Sequence, residues 1–213
     1  MSWKPLGLAI ALAGLLSGPP PAWAQEPEPP AEHKMEAAAG AMKLLAGGAL
    51  AFLIHESGHL AFDELFDARP QLQRVHFGPV PFFAITPTRP LSSRQLFTVA
   101  SAGFWAQEIS SEWLLPKHRD LRHERAPFAK GMLAFDVLTS IGYAGVAFAE
   151  AGPPQRDTRG MASGAAVPER AIALIVLAPA VLEAYRYFRP ESAWARWAMR
   201  GVEAGSVLLV IKH

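Results

Sequence analysis

The residues best suited to chemistry stand together at His55-Glu56-Ser57-Gly58-His59, an H-E-x-x-H pentad. Phe52-Leu53-Ile54 precede it and Leu60-Ala61-Phe62 follow, so it lies inside a helix-compatible run. Residues four apart on a helix share one face, and the two imidazoles can therefore converge on a single cation. Glu56, beside them, can reach a water bound to that cation. A metal there would bring the pKa of the water toward neutrality and polarise a scissile carbonyl. Glu56 would take the proton and return it to the leaving amine. The opposing reading makes His55 and His59 ordinary helix-face histidines and Gly58 a close-packing residue. That reading leaves the cost of burying His, Glu and His in an apolar helix without compensation.

The chain has no cysteine, so any metal must be held by His and carboxylates. Two imidazoles and one carboxylate suit Zn²⁺. A catalytic zinc needs a third protein ligand and one open position. Asp63 continues the same helical face but lies eight residues past His55, roughly 12 Å along a helix. It is cast as a group that orients His59 rather than as a ligand. Asp136 is the stronger candidate, a lone carboxylate in Met132-Leu133-Ala134-Phe135-Asp136-Val137-Leu138, where a charge should be paired or coordinating. A hydrogen bond between helices is the competing meaning of Asp136. Asp157, in Gln155-Arg156-Asp157-Thr158, is the reserve ligand, and Glu108 is a further possibility.

These residues must be positioned by a chain of 213 residues with 51% hydrophobic and 18% charged side chains. The length fits one domain after a leader, and the composition excludes a disordered polymer. Lys+Arg 20 against Asp+Glu 19 leaves no basic excess for a phosphate backbone, which argues against nucleic acid as a partner. Residues 1–24 have the pattern of an export signal, with Lys4, an apolar Leu6 to Leu16 and the small-x-small Ala22-Trp23-Ala24. A Pro/Glu-rich linker is expected over 25–35 and the main domain over 36–213.

Within that domain a first helix is expected from about Glu36 to Phe66, with an apolar part from Ala37 to Ile54 that is the best spanning candidate. Two short strands follow at Val75-His76-Phe77 and Phe82-Phe83-Ala84-Ile85, joined by Gly78-Pro79-Val80-Pro81. Further helices are expected at about Ser92–Leu115, Phe128–Glu150, Glu169–Phe188 and Ser192–Ile211. A basic loop lies at Lys117 to Arg125, and 152–167 is expected to be loop because of its Gly, Pro and Ser content. The fold class is mainly α, a polytopic membrane helix bundle with a short β-hairpin after the first core helix. Mean hydropathy is only +0.15, and Lys and Arg do not segregate cleanly between loops, so helix orientation stays open. The expected location is a membrane, the bacterial inner membrane, with the N-terminal linker on the export side. Phe82, Phe83, Ala84 and Ile85 offer an edge strand on which an extended peptide could be held for cleavage. The basic loop has a secondary reading as a contact for anionic lipid headgroups.

The arrangement resembles the site-2 protease family of intramembrane zinc metalloproteases. The resemblance rests on the pentad in an early membrane helix, Phe77-Gly78-Pro79 after it, Ala102-Gly103 in the next helix and Asp136 in a third. It covers about residues 44 to 140. It implies membrane helices around a zinc ion held by His55, His59 and Asp136, with Glu56 as base and a membrane-spanning segment as substrate. The chain departs from the family's Asn-Pro-x-x-x-x-Asp-Gly pattern: it contains no Asn, and Val137 follows Asp136. Two alternatives stand beside this reading: a noncatalytic membrane scaffold or binding protein with a structural or degenerate metal site, and an exported soluble metalloenzyme.

Overall fold

A computed structural model describes residues 30–77 and 80–212. The expected leader, residues 25–29 of the expected linker, Gly78-Pro79 and His213 lie outside the described residues. The elements are α1 (Ala31–Leu65), β1 (Pro70–Phe77), β2 (Val80–Pro87), α2 (Ser93–Leu114), a 3₁₀ turn (Leu115–Lys117), α3 (Pro127–Ala149), α4 (Asp157–Ala165), α5 (Glu169–Phe188) and α6 (Ala193–Lys212). Two compact units divide the chain, Met1–Ala38 and Ala39–His213. In the first, the described residues form the opening turns of α1. The site belongs to the second.

The helix carrying the pentad starts earlier than expected, at Ala31 rather than Glu36. Strong helix formers, Ala, Glu, Lys and Met, begin immediately after Pro30, and Glu32 in the first turn complements the helix dipole. Little of α1 is buried in the protein. Leu45 is 64% exposed and Leu53 61%, while Leu138 on α3 and Leu174 on α5 stand outward at 67% and 61%. α1, α3 and α5 are each long and apolar enough to cross a membrane. Large aliphatic groups facing outward on such helices belong in lipid, and the chain is a membrane protein.

Small residues let these helices touch backbone to backbone. A methyl on Gly47 would strike the carbonyl of Phe128, and one on Gly131 would strike that of Leu44, which brings α1 against α3. Gly58, inside the pentad, does the same for α1 against Ala102 of α2. The notion that Gly58 serves close packing is therefore correct, and it is compatible with a site built on its neighbours.

α2 is started by a capping box. Ser92 Oγ accepts from the Gln95 N–H at 3.3 Å and Gln95 Oε1 accepts from the Ser92 N–H at 3.0 Å, a device worth about 1 kcal/mol. Phe97, Phe104, Met161, Ile172 and Val176 then lock α2, α4 and α5 together. Ala51, Leu114, Met132 and Leu133 join α1, α2 and α3. Pro179 is buried within α5.

The hairpin is longer than the two short strands expected. β1 and β2 pair antiparallel over eight residues each, from Pro70↔Pro87 to Phe77↔Val80. In a two-stranded sheet both strands are edges, so Pro70, Pro81 and Pro87 are accommodated without loss of an interior ladder. Residues 152–167 differ most from expectation, because α4 forms inside them. Arg156 precedes α4 and grips Glu169 of α5 with two bonds, Nε to Oε1 at 2.7 Å and Nη2 to Oε2 at 2.5 Å. Thr158 Oγ1 adds a third at 2.7 Å to Oε1. The turn that carries Asp157 is thus held by a partner 11 to 13 residues further along, which local composition does not display.

Candidate metal centre

His55 and His59 are buried on the inner face of α1, at 2% and 6% exposure. The ring of His59 is turned by α2, where its Nδ1–H donates to the Val99 carbonyl at 2.7 Å. The ring of His55 is turned by Gln107, also on α2, whose Oε1 accepts the Nδ1–H at 2.6 Å. Gln107 is oriented in turn by Asp136. Its Nε2 donates to the Asp136 carbonyl and to Oδ1, each at 3.3 Å. Only Oε1 is then left for the imidazole.

With Nδ1 protonated on both rings, each Nε2 presents a bare lone pair. The two Nε2 atoms are 3.2 Å apart. Asp157 Oδ2 completes a triangle, 3.4 Å from His55 Nε2 and 3.5 Å from His59 Nε2. Three acceptors facing one another at these distances repel unless a cation or proton lies among them. Tetrahedral Zn²⁺ with bonds of about 2.0–2.1 Å requires neighbouring ligand atoms about 3.3 Å apart. His55, His59 and Asp157 are the group that meets this spacing among the described residues. No known protein family, curated protein or solved structure matches the chain.

Burial alone would push the Asp157 carboxyl up. Imidazoles of His59 and His55 that carry a proton toward it outweigh that and hold it well below the usual carboxylate range, as a bound cation would in the proton's place. It is therefore anionic and ready to ligate. Glu56 is half-buried at the same centre, close enough for its charge to act on His55, His59 and Asp157.

The structure does not bring Asp136 to the imidazoles. Its Oδ2 accepts from Ser111 Oγ at 2.9 Å and Ser110 Oγ at 3.2 Å, while Oδ1 accepts from Gln107. The lone carboxylate in the apolar run is satisfied by three donors from α2 and acts on the centre through Gln107 and His55. The carboxylate that joins the histidines is Asp157, the reserve. Asp63 does not orient His59 either, because the Val99 carbonyl already holds that Nδ1–H. Asp63 is buried, and its Oδ1 has no hydrogen-bond partner among the described residues. Glu108 faces a small cavity with Phe97, Met161 and Val176, away from the centre.

An apolar cavity of about 450 Å³ opens beside the three ligating atoms and Glu56. Phe83, Ala84 and Ile85 of β2 form one wall, Phe52 of α1 and Phe135 of α3 another. Phe82 is placed in β2 by its backbone, and its side chain lies outside the described residues. Phe52 joins the walls through edge-on contacts to Phe83 and Phe135, each at 5.9 Å.

Two contributors, Tyr143 and Gln107, escaped the sequence reading, and a third, Gly103, entered it only within the Ala102-Gly103 feature of the resemblance. Tyr143 lines the cavity, stacks on the His55 ring at 6.2 Å and lies beside the Asp157 carboxylate. Gln107 stands in Trp105-Ala106-Gln107-Glu108, where nothing separates it from surface polarity. Gly103 leaves room for both rings, since a methyl there would lie 2.6 Å from the Nε2 of each. Gly103→Ala should therefore push the imidazoles apart at a cost of about 1–3 kcal/mol. Zinc retained after dialysis against a metal buffer, read by elemental mass spectrometry, should fall about tenfold, and full retention would show that the rings do not meet at that spot.

Proposed function

We propose that the protein is a membrane-embedded zinc metallopeptidase, with the ion held by His55, His59 and Asp157 and with Glu56 as general base. The observation that carries this reading is the convergence of two bare imidazole nitrogens and a carboxylate oxygen at tetrahedral spacing, with Glu56 beside them at the head of a cavity. Three protein ligands leave the open position that separates a catalytic zinc from a structural one. When bound, zinc supplies a Lewis acid and a nucleophilic water at neutral pH.

The chain's own residues provide the rest. Glu56 takes the proton of the attacking water and delivers it to the leaving amine as the peptide bond breaks. Gln107 and the Val99 carbonyl hold the two rings in the tautomer that ligates. The Tyr143 hydroxyl donates to Asp157 on the cavity wall and steadies the ligating carboxylate. β2 has only β1 as a strand partner among the described residues, and Phe83, Ala84 and Ile85 border the cavity. An extended substrate segment is held there by strand addition. The apolar walls suit uncharged segments of membrane-associated peptides or proteins. Within this reading the protein resides in the bacterial inner membrane with its N-terminal linker on the export side, which the signal-like pattern of residues 1–24 and the three apolar helices support.

Elemental mass spectrometry of the detergent-purified full chain tests the centre. About one zinc per chain is expected for wild type, with loss in His59→Ala. A well-folded wild type without stoichiometric metal would return the pentad to helix packing and favour a noncatalytic scaffold.

A further inference from the structure

Away from the metal centre, the 3₁₀ turn after α2, the end of α5 and the first turns of α6 meet around a second cavity of about 220 Å³. Its walls include His118, Arg119, Arg186 and Arg196, with Leu115, Leu121 and Tyr187 forming an apolar floor. Among the described residues no carboxylate lines it, and His118 is paired outside it with Glu124 at 2.5 Å. Arg186, buried at the back, is paired with Glu112, whereas Arg119 and Arg196 are exposed. Arg196 Nη1 donates to the Pro190 carbonyl at 3.1 Å, which leaves further guanidinium donors to face the cavity.

The ends of α2 and α5 and the start of α6, which flank the cavity in the chain, also carry exposed rings. Trp113, Phe188, Trp194 and Trp197 are all more than half exposed. Three of these rings carry a cation on their face: Lys117 over Trp113 at 3.0 Å, Arg122 over Phe188 at 5.5 Å and Arg200 over Trp197 at 4.9 Å. Exposed Trp interleaved with Lys and Arg, at the end of an apolar spanning helix such as α5, is the chemistry of a membrane–water interface. Rings sit at headgroup depth there, and cations meet phosphate.

We propose that this cavity binds the headgroup of an anionic phospholipid, with Arg119 and Arg196 on the phosphate and the acyl chains lying along the exposed Trp and Phe rings. The site is independent of the metal centre and of the peptidase reading. The cavity is large enough for a phosphodiester with its glycerol. A free phosphate would satisfy the guanidiniums but leave the exposed rings of the same three helix ends uncovered, so the membrane lipid is the occupant the surface fits.

Native mass spectrometry of the full chain in detergent, titrated separately with phosphatidylglycerol, phosphatidylcholine and inorganic phosphate, tests the site. Phosphatidylglycerol should bind about tenfold or more tightly than phosphatidylcholine, given the contribution of two arginines near a phosphate. The double variant Arg119→Gln, Arg196→Gln should lose that preference, while Arg74→Gln on the exposed face of β1 should keep it. Zinc content should be the same in all three proteins. Equal binding of the two lipids by wild type, an unchanged preference in the double variant, or displacement of phosphatidylglycerol by millimolar inorganic phosphate would each overturn the proposal.

Discussion

Asp157→Ala should strip zinc from the protein, and Asp136→Asn should leave it bound. A four-coordinate zinc site is worth about 10–16 kcal/mol in apparent binding at neutral pH, so one ligand accounts for about 3–4 kcal/mol, or roughly 10²–10³ in affinity. Asp157 supplies the anionic ligand of the three, which places its loss toward the upper end. Asp136 stands one residue further out, behind Gln107 and His55. Weakening such an outer partner costs about 10–100-fold in metal affinity. In a competitive titration with a chelator of known zinc affinity, the two variants should separate by about an order of magnitude, Asp157→Ala being the weaker. The reverse order would mean that Asp136 swings to the ion when metal is present and that the bonds to Ser110 and Ser111 belong to the metal-free state alone. Neither substitution should unfold the helices, because the clamp of Arg156 and Thr158 on Glu169 and the cluster around Phe97 and Phe104 are untouched.

Glu56→Gln should have the largest effect on turnover and almost none on metal content. The change preserves size and hydrogen-bonding capacity and removes the base. General-base assistance is worth about 10²–10⁴ in rate, and hydrolysis of a membrane-associated peptide should fall by that factor with zinc near one per chain. A rate equal to wild type, at full zinc loading, would show that Glu56 takes no part in the chemistry. The combination of retained metal and lost rate separates the base from the ligands, since His59→Ala would lose both.

The pentad, its helix and the hairpin behind it were legible because each has a local cause. His55 and His59 share a face through helical periodicity, and the β-hairpin follows from β-branched and aromatic residues between prolines and glycines. The third ligand was not legible for a physical reason. A carboxylate in an apolar run must be compensated, but ligation, ion pairing and hydrogen bonding all achieve it. Asp136 is compensated by Ser110, Ser111 and Gln107, which stand 25 to 29 residues away on another helix. Asp157 sits among Gly, Pro and Arg in a stretch whose composition predicts loop, yet it becomes a helix start because Glu169 seizes both its neighbours. Tertiary contact decided both cases. The start of α1 was displaced for the opposite reason, since good helix formers outweighed the acidic character that suggested a solvated linker.

The hydrogen bonds that turn the two imidazoles have a thermodynamic consequence. Val99, Gln107 and Asp136 hold the rings from behind, and the Glu169 clamp holds the carboxylate from another direction. None of these bonds needs an ion. The socket is therefore made by folding rather than by loading, unlike small metal-dependent domains whose apo chains are unfolded. A cation entering the socket displaces the proton that His55, His59 and Asp157 otherwise share. Rigidity of the supporting frame, more than the identity of the three ligands, then sets how tightly the ion is kept. Substitutions that loosen α2 at a distance would surface as weaker metal affinity before they surface as a lower melting temperature.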